Sequence, residues 1–211
     1  MPRETLTKDQ IVQAAIELLD AEGLDGLSMR QLGNRLNSAA TAVYWHVKNK
    51  DNLVVLAADA VWSEVSLAEL NDWRTAATTM AHDLYAMILR HPWLVPAMST
   101  HILYGPGKAR HDDHLLAVFE TAGFTGRAVT EAVNVVFTFV LGTALGASAE
   151  IASRRRTPTL DDTLIAEITQ IAAQFPRLNA HSQGWDSQDP RDALDSGLTT
   201  ILDGLQTRLD Q

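Results

Sequence analysis

The segment Ser28–Lys50 constrains this chain more than any other, because it combines two short helix patterns with only a tight turn between them. Ser28 with Gln31 three positions later forms a capping box, which marks the start of a helix. Leu32 and Leu36 follow one turn apart and share a face of that helix. Two short helices joined in this way predict a helix-turn-helix, a motif that places its second helix in the major groove of DNA.

The turn and the second helix agree with this prediction. Asn37 falls where the turn needs a residue that tolerates a positive φ, for which Gly is best and Asn next. The second helix is predicted from Ala39 to His46 with Val43 pointing inward, and it leads into the run YWHVKNK at residues 44–50. Aromatic and cationic side chains there suit contacts with phosphates and sugars. The caps and the turn alone fit a surface helical hairpin without a ligand equally well.

A preceding helix completes a three-helix unit. Thr7 and Gln10 form another capping box, and Gly23 stands where that helix is predicted to stop. Between them an apolar stripe recurs at helical spacing: Ile11, Ala15, Leu18 and Leu19.

Residues 6–70 resemble the tetracycline-repressor (TetR) family of bacterial regulators. The resemblance rests on AAIELLDAEGLDGLSMRQLGNRL and above all on the YWHVKNK run, and the later stretches FVLGTALGASAE and GLTTILDGLQTRL resemble that family's core domain. It implies an all-α fold with an N-terminal three-helix helix-turn-helix DNA-binding domain at residues 1–49. A larger C-terminal helical domain for ligand binding and dimerisation would follow at residues 50–211.

The predicted recognition helix opens with short side chains, so few of its residues can reach base edges. Thr41 can hydrogen-bond a base or pack on a thymine methyl group, whereas Ala40 can contact only methyl groups. Trp45 has two open roles, a DNA contact or a wedge in the core. The resemblance implies a base contact by Arg30 and phosphate contacts by four further residues: Tyr44, His46, Lys50 and the helix cap Ser28. The predicted DNA-binding residues are therefore Ser28, Arg30, Ala40, Thr41, Tyr44, Trp45, His46, Lys48 and Lys50.

The net charge of −9 is unevenly distributed along the chain. Residues 1–50 hold six Lys/Arg and six Asp/Glu, which leaves eleven Lys/Arg and twenty Asp/Glu, the whole −9, in residues 51–211. An acidic body is repelled by DNA and helps to turn the N-terminal face toward it. An N-terminal unit without net charge predicts few phosphate contacts, and an affinity for DNA that depends on pairing two such units in a dimer.

Composition limits the other classes. Cysteine is absent, which removes disulfides, Cys-based zinc sites and thiol nucleophiles and suits a reducing cytoplasm. We expect no apolar stretch to approach the roughly 18 residues of a membrane span, because the longest, Ala132–Leu145, is interrupted by polar residues and glycine. Nothing at the N-terminus resembles a signal peptide. These features predict a cytoplasmic protein with no membrane partner and no cofactor.

Strand patterns are nearly absent, so the whole chain is predicted to be helical. The predicted helices span residues 7–22, 28–35, 39–46, 50–70, 73–90, 92–99, 107–123, 126–154, 160–175 and 189–209. The polar stretch Pro176–Asp189, with a lone Trp185, is expected to be a mobile loop.

Methionine and aromatic side chains are concentrated in the helices of the large domain, and both types adapt to irregular apolar volumes. They predict an effector pocket, although each residue alone fits plain core packing as well. Three residues add polar groups that can orient a ligand: His101, His114 and Asn134. The predicted ligand-binding residues are Trp62, Met80, Leu84, Met87, Trp93, Met98, His101, Tyr104, His114, Phe119, Asn134 and Phe137.

The resemblance also indicates what this pocket does not bind. The positions that grip the drug in tetracycline repressors correspond to Ser66, Met80 and Leu84, and a magnesium-binding histidine corresponds to Met98. Because these residues are mostly apolar, we expect no magnesium–tetracycline binding. A larger hydrophobic effector is predicted, such as a polyketide or another aromatic metabolite or drug.

Two charged runs have competing interpretations. The run His111-Asp112-Asp113-His114 has the i, i+3 histidine spacing of a metal site. It stands at a predicted helix start, where Asp favours the positive end of the dipole, so we interpret it as a solvated helix start. The run Arg154-Arg155-Arg156 lies near a helix end and is interpreted as structural rather than as a second DNA site.

Two predicted helices carry a dimerisation seam. Small residues between Gly142 and Ala149 permit close helix approach. The last helix carries an apolar stripe: Leu194, Leu198, Ile201, Leu202, Leu205 and Leu209. Two such helices from each subunit form a four-helix bundle. Its twofold axis would present two recognition helices about 34–36 Å apart, in successive major grooves.

These patterns together predict a ligand-responsive transcriptional regulator, a homodimeric repressor that leaves a palindromic operator when a hydrophobic small molecule binds. Two alternatives stay open, a DNA-binding regulator controlled by a protein partner and a helical enzyme. The enzyme is disfavoured because no nucleophile–base pair, paired carboxylates or convincing metal set stands out.

Overall fold

Eleven α-helices make up the part of the chain that the computed structural model describes, residues 6–156, 162–182 and 190–211. No strand occurs in these residues, and the all-α prediction is confirmed. In chain order the helices are α1 Lys8–Gly26, α2 Met29–Arg35, α3 Ala40–Val47, α4 Lys50–Trp62, α5 Trp73–Arg90, α6 Leu94–Thr100, α7 Pro106–Ala122, α8 Arg127–Arg156, α9 Asp162–Ala172, α10 Pro176–Ser182 and α11 Pro190–Leu209.

The predicted end of α4 at residue 70 was wrong, because the helix stops at Trp62. The carbonyl of Ser63 accepts a hydrogen bond from the Arg110 guanidinium (3.1 Å), which satisfies this end of the helix from outside. The next helix, α5, has a start of its own, where the Asp72 carboxylate accepts the Thr75 N–H (2.9 Å). Hydrogen bonds from the Thr75 hydroxyl and N–H hold the pKa of Asp72 below its usual value.

The predicted loop Pro176–Asp189 was wrong in its first half, which forms the short helix α10. Residues 183–189, including Trp185, lie outside the described residues. The side chains of the arginine run at residues 154–156 also lie outside them.

The caps of the first two helices are formed by the residues that the sequence indicated. Thr7 Oγ1 accepts the Gln10 N–H (3.2 Å) while the Thr7 N–H donates to Gln10 Oε1 (2.9 Å), which is a complete capping box. Ser28 Oγ accepts the Gln31 N–H (3.2 Å) but donates to the Gln31 side chain (2.7 Å), so only half of the second box forms. Gly23, with a φ of 72°, kinks α1 rather than ending it.

The turn between α2 and α3 depends on two small features. Asn37 has a φ of 49°, as predicted for this position. Gly33 lets the two helices approach, since a Cβ added there would lie 2.8 Å from the Ser38 carbonyl oxygen and 3.1 Å from the Ala40 nitrogen. Both neighbours are backbone atoms, so neither can move aside without opening the turn.

We expect Gly33→Ala to destabilise the protein by about 1–3 kcal/mol, because the added methyl group overpacks a backbone contact. Asn34→Ala is the matched control, since Asn34 is exposed on the same helix. Chemical denaturation of both variants would measure the difference. Equal stabilities would show that the turn tolerates a wider α2–α3 spacing.

Helix α4 connects the N-terminal unit to the larger bundle. It packs against α1 on one side and against α7 on the other. The larger bundle is built on contacts of α5 with α7 and α8, and of α8 with α7 and α11. Trp62, the last residue of α4, is buried in the same apolar core that runs through both parts.

The leucine stripe of α11 packs inside its own subunit, so the predicted seam on this face was wrong. Four of its residues are at most 4% exposed, on a helix that packs against α8: Leu194, Leu198, Leu202 and Leu205. The small residues of α8 do remain open. A Cβ added at Gly142 or Gly146 would meet nothing within 4 Å among the described residues, and Leu145 between them is 52% exposed.

Helix α8 also contradicts the expectation that no segment is long enough to span a membrane. Its part Arg127–Ala149 is long and apolar enough by length and composition, with 28% of the most apolar stretch buried. Its polar residues interrupt it less than expected, because the Thr143 hydroxyl donates to the Phe139 carbonyl within the helix (2.9 Å). Such a helix also occurs in proteins whose apolar faces are covered by protein.

Candidate DNA interface and effector cavity

Helix α3 presents its polar and aromatic side chains to solvent. Val43 and Val47 are fully buried and fix the helix to its neighbours. Trp45 is 88% exposed, so its alternative role as a core wedge was wrong. Six of the predicted DNA-binding residues are exposed: Arg30, Thr41, Tyr44, Trp45, His46 and Lys48. Ala40 is half-buried at the start of α3. The face is free to meet a duplex, and the individual contacts stay predictions.

A strained two-residue corner joins α3 to α4. The Asn49 N–H donates to the Val47 carbonyl (2.7 Å), and Lys48 between them has φ 61° and ψ −57°. This is a γ-turn of the rare kind, which is costly for a residue with a Cβ. Asn49 then caps α4 by accepting the Asn52 N–H (2.7 Å). The corner leaves almost no slack between the predicted recognition helix and α4.

Two predicted phosphate contacts already have partners inside the protein. The Lys50 ammonium donates to the Leu24 carbonyl (2.8 Å) and ties the start of α4 to the end of α1. Ser28 uses its hydroxyl on Gln31. A phosphate contact by Lys50 therefore requires this internal bond to break or to be shared.

The carboxylate of Asp59 joins α4 to α7. Asp59 Oδ1 accepts the N–H groups of Gly107 (2.8 Å) and Lys108 (3.1 Å), so a side chain of α4 caps the N-terminus of α7. Gly107 permits this approach, because a Cβ there would lie 2.3 Å from the Asp59 carbonyl oxygen. A second bond, from Arg110 of α7 to the Ser63 carbonyl, closes the other end of the contact.

A further polar contact holds α1 against the start of α6. Asp20 Oδ1 accepts the Trp93 indole N–H (2.7 Å) and lies 2.8 Å from His91 Nδ1. The other imidazole nitrogen of His91 lies 3.3 Å from a Glu64 carboxylate oxygen. Trp93 therefore serves the junction between the two parts of the chain, and it does not line the cavity described below.

A small closed cavity lies among α5, α7 and α8. Its volume is about 10 Å³, which is room for the centre of one water molecule. The lining is apolar except for one imidazole: Met80, Ala81, Leu84, His111, Leu115, Val136, Phe137 and Val140. Trp62 stands behind it, with its ring centroid 4.9 Å from that of His111 and 6.2 Å from that of Phe137.

The predicted ligand-binding residues do not form one site. Met80, Leu84 and Phe137 line the cavity, and Trp62 adjoins it. The others lie elsewhere in the structure: Met87 is fully buried, Met98 is half-buried on α6, Phe119 packs with Trp73 and Phe124, Tyr104 is 61% exposed and Asn134 is exposed.

Two predicted polar anchors also have other partners. His101 Nε2 lies 3.5 Å from Asp51, and His114 Nε2 lies 2.7 Å from the Ala68 carbonyl. The histidine that does line the cavity is His111, which the solvated interpretation of the HDDH run missed. The sequence did contain a signal for this. His111, Leu115 and Phe119 are spaced four residues apart, which places them on one face of α7, and all three are buried.

The HDDH run places Asp112 in a salt bridge with Lys108, one turn earlier on α7. No cluster of three His, Asp or Glu residues that could hold a metal ion occurs in the part of the chain that the structure describes. The Lys108 ammonium bonds both Asp112 carboxylate oxygens (2.5 and 2.6 Å). Burial alone would raise the pKa of Asp112, but hydrogen bonds from His111 and Lys108 outweigh it and keep the pKa below its usual value.

A larger hollow of about 430 Å³ lies on the N-terminal unit and is open to solvent. Its lining is mixed polar and apolar: Leu6, Gln10, Gln13, Ala14, Glu17, Arg35, Leu36 and Ser38. Arg35 and Glu17 pair across it (2.6 Å). The smaller cavity is the better candidate effector site, because it is less open to solvent, is lined by apolar side chains and adjoins the helix that contacts α4.

Comparison with known proteins places the chain in a family. Residues 11–57 match the model of the bacterial regulatory proteins of the tetR family, and residues 67–209 match the tetracyclin repressor-like C-terminal domain. The chain belongs to the TetR family. The predictions of the family and of a DNA-binding transcriptional regulator are thereby confirmed.

Three relatives of the regulator span nearly the whole chain. An HTH-type transcriptional regulator of Saccharopolyspora erythraea is 34% identical over 95% of this chain and 84% of its own length. The HTH-type transcriptional repressor DrrR1 of Streptomyces coeruleorubidus is 30% identical over 100% of this chain and 81% of its own. The Streptomyces coelicolor TetR family protein ActR, in complex with actinorhodin, superposes with a TM-score of 0.78 at 27% identity, covering 98% and 99% of the two chains.

We expect Asp59→Ala to lower the stability of this regulator by about 1–2 kcal/mol, because two N–H groups of α7 lose their acceptor. Asp59→Asn keeps an acceptor and should lose less. Asp113→Ala, exposed on α7, is the surface control. Denaturant titrations would rank the three variants, and an Asp59→Ala variant as stable as Asp113→Ala would contradict the capping role.

Proposed function

We propose that this protein is a ligand-responsive transcriptional repressor that binds a palindromic operator as a homodimer in the cytoplasm and leaves it when a hydrophobic or aromatic molecule enters the α5–α7–α8 cavity. One observation carries the proposal. Asp59 links α7, which lines the cavity, to α4, which follows the recognition helix after a two-residue corner. A ligand that moves α7 is thereby coupled to the DNA-binding face, provided that it binds the two conformations with different affinity.

One relative supports the class of effector, and another supports the role of repressor. ActR binds actinorhodin in a solved complex, and DrrR1 is a repressor. The cavity here is apolar with aromatic neighbours, which suits a flat hydrophobic molecule. Magnesium–tetracycline fits it poorly, because the cavity-lining Met80 and Leu84 offer no strong hydrogen bonds to a polar drug.

The open face of α8 supports dimerisation. Its uncovered glycines and the exposed side chains of Val135 and Leu145 leave an apolar surface that a second copy would cover. If a second copy covers this surface, the apolar composition of α8 is explained without a membrane. The proposed seam therefore runs along α8.

The first experiment is a fluorescence-anisotropy titration of the protein with DNA from its own upstream region at two salt concentrations. Tight, sequence-selective binding by a dimer, with a palindromic footprint, is the expected result. Weak binding that is equal on random DNA and lost at modest salt would mean that the operator lies elsewhere or that the DNA-binding unit needs a ligand to bind, and it would reopen the enzyme alternative. Regulation by a protein partner would instead give operator binding that no apolar compound from a diverse panel releases.

Arg30→Ala is expected to weaken operator binding by about 1–3 kcal/mol and to relax preference at one base pair, with little change on random DNA. Arg35→Ala is the matched control, because Arg35 lies on the same helix but is paired with Glu17. Titrations on the operator and on single-base variants would measure both. Equal losses on specific and random DNA would show that Arg30 contacts only phosphates.

Lys48→Gly is expected to separate stability from binding. Glycine relieves the strained γ-turn, so the free energy of unfolding should rise by about 1 kcal/mol. The lost ammonium should weaken binding to all DNA sequences and lower the salt slope by about one ion per half-site. Lys48→Ala loses the same charge without relieving the strain, so it should match the glycine variant in binding but not in stability. A lower free energy of unfolding in Lys48→Gly would show that the γ-turn at Lys48 is not strained.

A further inference from the structure

The imidazole of His111 carries a buried nitrogen without a partner. His111 is 1% exposed and lines the cavity, and its Nε2 has no hydrogen-bond partner among the described residues. A buried polar atom left in this state costs stability, so such atoms in native proteins need an explanation. A cavity that is meant to receive a polar group from a ligand provides one.

The neighbours of His111 decide which kind of group that is. His111 Nδ1 lies 3.4 Å from Asp112 Oδ1, and the Lys108 ammonium bonds the same carboxylate. Lys108 balances the charge of Asp112, so a second cation here would be buried without compensation. A carboxylate only accepts hydrogen bonds, so the imidazole places a proton on Nδ1, toward Asp112. Its Nε2 then offers a lone pair to the cavity, which accepts a hydrogen bond.

The surroundings of this acceptor are aromatic. The Trp62 ring lies 4.9 Å from the His111 ring, and Phe137 stacks on Trp62 at 6.2 Å with an interplanar angle of 26°. Trp62 Nε1 is a second buried polar atom that lacks a partner in the described part of the chain. Flat apolar walls with one acceptor and one donor nearby suit an aromatic molecule that carries polar substituents.

The cavity must open to receive such a molecule, since its present volume of about 10 Å³ holds one water at most. Met80 and Leu84 line the side of the cavity formed by α5. Methionine rearranges at low cost because it is unbranched, so this side can yield. A single buried water on Nε2 is the competing explanation for the orphan atom.

We propose that His111 Nε2 selects the effector, by accepting a hydrogen bond from a hydroxyl group on an aromatic ring. This inference rests on the proposed function, since it assigns chemistry to the same cavity. A ligand without that donor leaves the lone pair buried and unpaired. Sites of this type reject the analogue that lacks the polar group much more strongly than they reject a change in apolar size.

The test uses two probes of nearly equal shape, 2-hydroxyanthraquinone and 2-methylanthraquinone, at neutral pH, because the hydrogen bond needs both a protonated phenol and an unprotonated imidazole nitrogen. Affinities for the full-length protein are measured by quenching of tryptophan fluorescence. We expect the wild-type protein to prefer the hydroxyl probe by about tenfold or more.

Two histidine variants make the test specific. His111→Leu should bind both probes equally, with an unchanged or higher melting temperature, because it removes an unpaired buried acceptor. His114→Leu is the matched control on the same helix. Its Nε2 is already bonded to the Ala68 carbonyl, so it should lose stability but keep the preference.

Three outcomes would overturn the inference. Equal binding of both probes to the wild-type protein would indicate a structural water on Nε2 and would leave the proposed function standing. A preference that survives in His111→Leu would assign the selectivity to another group. Binding of neither probe would also argue against an aromatic effector for this cavity. The operator titration would still decide separately whether the protein is a regulator.

Discussion

The carboxylate of Asp59 makes the contact on which the rest of the arrangement depends. It satisfies two backbone N–H groups at the start of α7 from a neighbouring helix, where most helices use a residue of their own chain segment. The partner helix, α4, is held at its other end by Lys50 on the Leu24 carbonyl. Helix α4 is thus hydrogen-bonded to α1 near its beginning and to α7 near its end. The orientation of α4 therefore depends on how the N-terminal unit is placed relative to the larger bundle.

The cavity is small because apolar side chains have closed around it, and it is not fully relaxed. Two buried polar atoms beside it, on His111 and Trp62, have no partner within the described residues. Their desolvation lowers the stability of the empty state. A ligand that satisfies them recovers this free energy in addition to the burial of its own apolar surface. A closed cavity can therefore bind a ligand well, even though opening it costs packing contacts.

Local chemistry explains which features the sequence could predict. The capping residues Thr7 and Ser28 and the positive φ of Asn37 depend on interactions within four residues, and all three occur where expected. Helix types and most boundaries follow from apolar periodicity in the same way. The end of α4 did not follow, because the carbonyl of its C-cap residue Ser63 is satisfied by Arg110, which is 47 residues away in sequence.

The ligand-binding residues were harder to predict, because composition cannot distinguish a cavity wall from a core. Met80 and Met87 lie on the same helix and are both buried, but only Met80 lines the cavity. His111 and His114 are three residues apart, and only the packing of α7 decides which of them faces inward. The same limit applies to the leucines of α11, whose stripe fits a dimer seam and an internal face equally well.

The γ-turn at Lys48 has a mechanical consequence. Because two residues join α3 to α4, the two helices behave as one bent lever, and the 13 residues of α4 make an arm of about 20 Å. A tilt of about 5° about the far end of this arm would displace the recognition helix by about 1.7 Å. In a twofold-symmetric dimer the two displacements add to about the 3.4 Å rise of one base pair. A movement smaller than a side chain could therefore put both helices out of register with DNA.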